Sequence, residues 1–481
     1  MQHKQSVTLI TLLVLICLLG SMSRETLARI LDWAWDIQLV DADGGHAPSL
    51  AFDSAGYPHI AVHGGGGIRY ERKGASGWLP VEMVESGFYE DPALVLGSND
   101  YPHISYQEMS LGTGTGESLK YAYKDATGWH FEYVDLRDSS IGDMGLNSEI
   151  ALDTDGYSRI AYLYDDYDFG SEMELRYAYK DATGWHPAVL YSFGLAGWGI
   201  SQYGSVSLDI DSDGYAHIVT YRGADNTDMV HVYQDASGWH LEQVADCGKS
   251  SHMRLDQNDY PHVVYRNCSS ALSYAYKDGD GWHDEAVALG NGPSLYLDDN
   301  DNPYIACRGE NSKHLELIVP AGDTWVKSLV TETVAQIASI SIAIEDDDAV
   351  HIAYAIYDGS YHRDLYYAYG EPVLGPCSSE LAIATFDDQD ANGAQDPGEP
   401  YISWPYTLTV NAVDQVIQSP SGGWYTTTLT EDDTWTVTTY TDANWMPTTP
   451  TSLNSVAACL DQQALFGVWW KEHVYLPLVV K

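Results

Sequence analysis

Basic residues are scarce in this chain: 23 Lys and Arg stand against 69 Asp and Glu in 481 residues, a formal charge of −46. A surface of that sign offers nothing to a phosphate backbone, which excludes a nucleic-acid partner. Long apolar runs are also missing beyond the first twenty residues, so no transmembrane span is expected in the mature chain. Phe is nearly absent, 7 residues against 36 Tyr, and together with 43 Gly this mix predicts many short strands and tight turns over long helices. What remains is 44% hydrophobic and 12% aromatic, enough for one large or several ordinary cores, so wholesale disorder is excluded as well.

Residues 1–23 read as an export signal, with Lys4 as the positive charge, Val7 to Leu19 as the apolar run and Gly20-Ser21-Met22-Ser23 offering small residues for cleavage. Cys17 follows Ile16 where lipidation needs a small residue, so an ordinary or uncleaved signal ranks above a lipoprotein. The expected location is secreted, extracellular or cell-surface. Most of the five later cysteines should then pair. Cys377 and Cys459, near the two ends of a C-terminal domain, form one expected pair. Among Cys247, Cys268 and Cys307, Cys247 with Cys268 is favoured because both fall in loops of neighbouring repeats, which leaves Cys307 free.

One unit recurs from Ser49 to about Pro372. Its first half reads Ser49-Leu-Ala-Phe-Asp-Ser-Ala-Gly-Tyr-Pro-His-Ile-Ala-Val62 and its second Leu119-Lys-Tyr-Ala-Tyr-Lys-Asp-Ala-Thr-Gly-Trp-His130. The first half returns around Asp53, Gly97, Asp153, Asp211, Asp256, Asp298 and Glu345, seven units about 49 residues apart. Each unit holds four short strands separated by Asp/Gly turns, as a propeller blade requires. The Trp that opens the fourth strand appears at Trp78, Trp129, Trp185, Trp239, Trp282 and Trp325, and the seventh unit lacks it. Trp35-Asp-Ile-Gln-Leu-Val40 supplies the missing strand from the other end. This permutation predicts an all-β fold: a seven-bladed β-propeller over residues 30–372, closed by an N-terminal strand so that no edge is exposed.

The Lys-Asp-x-x-Gly-Trp turn, with Asp125, Gly128 and Trp129 and its copies at Asp181, Asp235 and Asp278, loosely resembles the Asp-box of sialidase-type propellers. The resemblance covers this turn in four blades and implies fold more than activity. Residues that recur in every blade are assigned to packing. His59, His103, His217, His262 and His351 are expected to be buried donors holding a turn, and His130, His186, His240 and His283 are discounted in the same way. Asp209-x-Asp211-x-Asp213-Gly214 is expected to be a plain hairpin turn.

Variation between units points to function. The turns after the first and third strands are short and uniform, whereas those after the second and fourth carry insertions at Glu108 to Ser118, Leu136 to Asn147, Tyr164 to Glu174 and Tyr191 to Gly204. Arg222, Arg266 and Arg308 follow the second strand in three consecutive blades and should point to this elaborated face. Three guanidinium groups on one rim suit a carboxylate or sulfate, and neutralisation of acidic loops is the competing assignment. Glu108, Asp165, Asp166 and Asp168 lie on that face without a spacing that identifies a catalytic pair.

After Gly375-Pro376 the chain turns to Thr-rich alternating strands, which predict a small Ig-like β-sandwich over residues 377–470, followed by a tail, 471–481, that is either a sorting segment or a last strand. Asp388, Asp390, Asn392, Asp396 and Glu399 stand at the first, third, fifth, ninth and twelfth places of a calcium loop, with Gly393 at the sixth. The phrase Asp390 to Glu399 resembles the calcium-binding B-type repeats of serine-aspartate-repeat adhesins, which implies a calcium-stiffened spacer. Together these readings predict a monomeric, secreted or cell-surface binding protein. Its propeller recognises an extracellular glycan, another polymer or a protein ligand, with calcium as cofactor. The alternatives are a sialidase-like glycoside hydrolase and a structural envelope or matrix component.

Overall fold

The computed structural model describes residues 30–109, 117–136, 143–165, 172–195, 205–222, 228–321, 324–345, 349–357, 363–374 and 378–387, and seven further strands between 405 and 470. All of its regular elements are strands, and no described helix is long and apolar enough to cross a membrane. The chain falls into two compact units that part between Val373 and Leu374.

The first unit is a seven-bladed β-propeller, each blade an antiparallel sheet whose strands follow chain order from the inside outward. Blade 1 spans residues 44–86, blade 2 89–135, blade 3 143–195, blade 4 207–245, blade 5 249–289, blade 6 291–332 and blade 7 336–374. Blade 7 takes its fourth strand from Ile30–Asp41, which pairs with Arg363–Leu374. The closure expected from Trp35 to Val40 is therefore present, and Trp33 adds to it. Trp33 is 5% exposed and meets Tyr304 of blade 6 edge-on, so the borrowed strand also seals the interface between blades 6 and 7. Trp35 lies over Gly370, where a Cβ would come within 2.4 Å of its ring. The outer strand of blade 1 is split into Gly77–Trp78 and Glu82–Ser86 around Pro80, which has no N–H to give the ladder.

The inner strands are tied around the axis by side chains at one repeating position. The amide of Leu94 donates to Ser49 Oγ, Met253 to Ser207, Leu295 to His252 Nδ1, Ile342 to Ser294 and Leu50 to Ser341, each bond crossing from one blade to the next. Just before this position the inner strands bulge through a left-handed residue at Ala47, Asp91, Asn147, Ser250 and Gly292. These bulges frame the upper mouth of an axial cavity of about 250 Å3 to which all seven blades contribute.

The tyrosine excess has a physical reason. Buried tyrosines need acceptors, and the repeat provides them. Tyr70, Tyr274 and Tyr367 bond His59, His262 and His351, and Tyr121 lies 2.5 Å from His103. Tyr106 and Tyr162 donate to Glu85 and Asp135 of the preceding blade, both at 2.5 Å. His59 and His351 also approach Asp53 and Glu345 at the turn below, so these recurrent histidines are scaffold, as expected. In the turn between third and fourth strands, Asp125 accepts from the Thr127 amide at 2.7 Å and lies 3.0 Å from His130. The same arrangement returns at Asp181 with His186 and Asp235 with His240. Asp211 accepts the amides of Asp213 and Tyr215, which makes that segment the hairpin turn expected of it.

Each blade-opening Trp wedges against the preceding blade, Trp129 on Tyr70, Trp185 on Tyr121, Trp239 on Tyr177 and Trp325 on Tyr274, at 5.0–5.5 Å between centroids. The neighbouring Lys reaches the same seam. Lys180 pairs with Glu132 at 2.7 Å, Lys277 with Glu242 at 2.6 Å, and Lys124 with Glu82. Buried apolar area supplies most of the interface energy, and these pairs fix the register between blades.

The second unit contains two four-stranded sheets. One joins Tyr425–Thr430, Ser378–Asp387, Gln462–Trp470 and Trp445–Pro447, with a parallel pair at its centre, and the other joins Val413–Gln418, Pro405–Val410, Thr434–Thr439 and Ser452–Val456. Two sheets with Ile383, Leu408 and Val437 buried make the predicted β-sandwich. The segment from Asp388 to Glu399, expected from the sequence to be a calcium loop, lies outside the described residues, as do Cys377, Cys459 and the tail from 471.

Candidate functional site

The turns after second strands and the crossovers between blades share the upper face with the cavity mouth. Most of the inserted loops lie outside the described residues, as do Asp166 and Asp168. Among the described residues the strongest feature of this face is a divided set of arginines. Arg222 faces Asp228 in the ladder and pairs with it at 2.8 Å, its side chain 44% exposed. Arg266 and Arg308 face Leu272 and Leu315 in their ladders, so the hairpin gives neither an acid.

Arg266 donates from Nη2 to Ser270 Oγ at 2.7 Å and Arg308 from Nη1 to the Ile337 carbonyl at 3.1 Å. The Nε of both is buried without a partner. Burial first, and then the positive charge of Arg266, lower the pKa of Arg308, so the two guanidinium groups sense one another. Gly292, with φ of +55°, makes room for Arg308, since a Cβ there would stand 2.9 Å from Nη2. Lys249 faces Arg266 across the blade 5 ladder and adds a third cation.

A disulfide fixes this sector. Cys247 bonds to Cys268, with Cα atoms 5.8 Å apart, tying the crossover into blade 5 to the turn just beyond Arg266. The pairing expected from the loops is present, and Cys307 is buried with no disulfide partner among the described residues.

Across the mouth, blades 1 and 2 hold His46, His63 and Asp91, the last at the left-handed bulge position of its blade. His46 Nδ1 lies 4.0 Å from Asp91 Oδ1, with the side chains 29% and 26% exposed, and its ring meets that of His63 edge-on at 5.8 Å. Burial lowers the pKa of His63 and raises that of Asp91, whose carboxylate accepts the Asn147 amide. Deeper in the cavity, burial pushes Glu149 up to about 7 against the opposing charge of Arg254, and drives His252 well down. The mouth is thus polar, with two histidines and a carboxylate on one side and, on the other, two guanidinium groups that have no salt bridge among the described residues. The sequence signal for His46 and His63 was their failure to recur, together with the glycines around them: a Cβ at Gly45 or Gly64 would lie within 2.5 Å of backbone.

Glu108 lies 3.8 Å from Lys120 and 3.5 Å from the Tyr133 hydroxyl, and Asp165 is buried. No group of three His, Cys, Asp or Glu side chains suited to a metal occurs among the described residues.

No protein-family model matches the sequence, and no curated protein sequence does. Similar solved structures include virginiamycin B lyase from Staphylococcus aureus, 9% identical, covering 71% of this chain and 100% of its own at a TM-score of 0.42. An ulvan lyase of a polysaccharide lyase family, bound to a glucuronate–sulfated rhamnose unit, is 12% identical with coverages of 68% and 94% and a TM-score of 0.47. A Hadza microbial sialidase is 11% identical with coverages of 68% and 66% and a TM-score of 0.39. At these identities the likeness is one of propeller architecture.

Proposed function

We propose that this protein is a secreted or cell-surface binding protein whose propeller grips an acidic glycan or a similar extracellular polymer on its upper face, displayed by a calcium-stabilised C-terminal module. The observation that carries the reading is the adjacent pair Arg266 and Arg308, which have no carboxylate partner among the described residues of a chain of net charge −46. Two guanidinium groups with free donors bind a carboxylate or sulfate through paired, charge-assisted hydrogen bonds. The disulfide holds one of them in place before any ligand arrives and suits an oxidising compartment. Asp388, Asp390, Asn392, Asp396 and Glu399 are the proposed calcium ligands.

The test is binding of the full-length protein to an array of uronate-containing, sulfated and neutral glycans. Charge-assisted bonds contribute about 1.5–3 kcal/mol each. Changing Arg266 and Arg308 together to Ala should therefore weaken acidic-glycan binding at least tenfold, while Arg222→Ala, whose partner lies in its own hairpin, leaves it within a factor of two or so. Equal binding by all three proteins would return the pair to local charge balance. Turnover of a bound glycan in the same assay would move the assignment to a hydrolase on the same face.

A further inference from the structure

On the lower face the seam between blades 5 and 6 loses the lysine and keeps the acid, unlike the seam between blades 3 and 4, where Gln234 opposite Trp239 replaces the lysine and Ala188 replaces the acid. At the blade 2–3 seam, the Lys180 ammonium sits 4.9 Å from the centroid of Tyr121, 5.0 Å from Tyr123 and 5.6 Å from Trp185, and pairs with Glu132 at 2.7 Å. Trp185 Nε1 donates to the same carboxylate at 2.8 Å. This is a complete ammonium cage of three rings and one acid. Lys277 repeats it in part at the blade 4–5 seam, against Glu242 and Tyr233.

The blade 5–6 seam keeps the cage and replaces its cation. Pro320 faces Trp325 in the ladder as Lys180 faces Trp185, so Pro occupies the lysine position. Tyr274 faces Glu285 as Tyr121 faces Glu132, and Tyr276 stands where Tyr123 does. The Tyr274 and Trp325 rings meet at 5.2 Å and 68°, against 5.0 Å and 73° for Tyr121 and Trp185. Glu285 is exposed and, among the described residues, has no ion pair of its own. Where the lysine would lie there is an open cleft of about 650 Å3 lined by Tyr274, Tyr276, Glu285, Pro320 and Trp325, with Asn258, Asn300 and Asp301 on its outer walls. Lys277, at its edge, is held by Glu242.

We propose that this cleft is a binding site for an amino sugar, whose primary ammonium takes the place that Lys180 fills three seams away. The protein itself supplies the template: the same rings and the same acid hold an alkylammonium where the chain provides one. The volume exceeds what an ammonium needs and takes a sugar ring, and the two exposed amides and Asp301 are placed for its hydroxyls. The site lies on the face opposite Arg266 and Arg308, so it stands or falls apart from the acidic-glycan reading.

The test is calorimetric titration of the full-length protein with a glucosamine tetramer, its N-acetylated form and 1,5-diaminopentane. The glucosamine tetramer should bind at least tenfold more tightly than the acetylated one, whose nitrogen carries no charge, and more tightly than the diamine. Glu285→Gln, at an exposed position, should weaken binding at least tenfold. Pro320→Lys should abolish it by filling the cage from within, and because it restores the seam pair this variant should melt no lower than the parent. The double change of Arg266 and Arg308 to Ala should have no effect. Equal affinity for the acetylated tetramer, no binding of the glucosamine tetramer, or binding that survives Pro320→Lys in the folded protein would overturn the proposal. A diamine that binds as tightly as the tetramer would overturn the assignment to a sugar.

Discussion

The borrowed strand makes a quantitative prediction about closure. Trp33 is 5% exposed and packs in one cluster with Tyr304, Leu315, Leu317 and Val319 of blade 6 and Ile337, Ile342 and Ile352 of blade 7. Trp33→Ala removes a large buried ring from a seam with no spare side chain to collapse into the space, a loss of about 3–5 kcal/mol. Leu39, on the same strand but 52% exposed, touches little, and Leu39→Ala should cost under about 0.5 kcal/mol. A domain of 150–250 residues moves by about 2–4 °C per kcal/mol, and the propeller is larger, so the lower slope applies. Differential scanning calorimetry of the full-length protein should place Trp33→Ala roughly 6–10 °C below the parent and Leu39→Ala within about 1 °C of it. A variant beginning at Gly44 lacks the whole strand, leaves Arg363–Leu374 as an open edge, and should melt lower still and self-associate. If Trp33→Ala and Leu39→Ala melted together, or the variant from Gly44 kept the parental melting temperature, the strand would not be what closes the ring.

Two further outcomes follow from buried groups. Burial lowers His103 to about 4, His231 to about 4 and His351 to about 3, so the unfolded chain, whose histidines titrate near 6.5, binds more protons below that pH. Their contribution to stability is present above about pH 6.5 and is lost as pH falls toward 3–4. Burial, and then Asp41, push Glu71 up to about 8, the opposite sign: its contribution is present below the unfolded value near 4.3 and is lost as pH rises toward 8. Glu149, at about 7, acts in the same sense as Glu71. His59, His63, His217 and His252 are lowered along with the three histidines above and make the acid side the steeper, so melting temperature measured from pH 4 to 9 should peak near 6–7. Glu71→Gln should flatten the alkaline limb, and an unchanged limb would refute the role given to Glu71. Reducing the Cys247–Cys268 bond opens a link across 21 residues and should cost about 3 kcal/mol of stability. It should also weaken acidic-glycan binding while leaving glucosamine binding unchanged, and equal loss of both would show a general collapse instead.

The architecture was legible because the signals were redundant. Seven copies of one pattern fixed the strands, and the position of Trp35 at the wrong end of the array fixed the closure. Trp33 was not legible, since it has no counterpart in the other blades and gains its importance from Tyr304, almost three hundred residues away. The three arginines looked equivalent in the sequence. The ladder separates them, because Arg222 falls opposite Asp228 whereas Arg266 and Arg308 fall opposite leucines, and strand pairing had to be known before that difference could be seen.

The distribution of positive charge links the two faces. In a chain with 23 basic residues against 69 acidic ones, many of the described cations find acids at seams or in hairpins: Arg69 with Asp41, Lys124 with Glu82, Arg159 with Asp153, Arg176 with Asp135, Lys180 with Glu132 and Lys277 with Glu242. Under that excess two neighbouring arginines without an acid stand out, and so does a seam carboxylate whose lysine has been replaced. Arg266 with Arg308 and Glu285 opposite Pro320 are two such departures among the described residues, and both arise at blades 5 and 6. Neither improves packing over the pattern in the other blades: one leaves buried donors unsatisfied, and the other leaves an open cleft where a side chain would fit. A repeat that forgoes local stability at two points, on opposite faces of the same pair of blades, is better explained by two ligands of opposite charge than by drift of a scaffold.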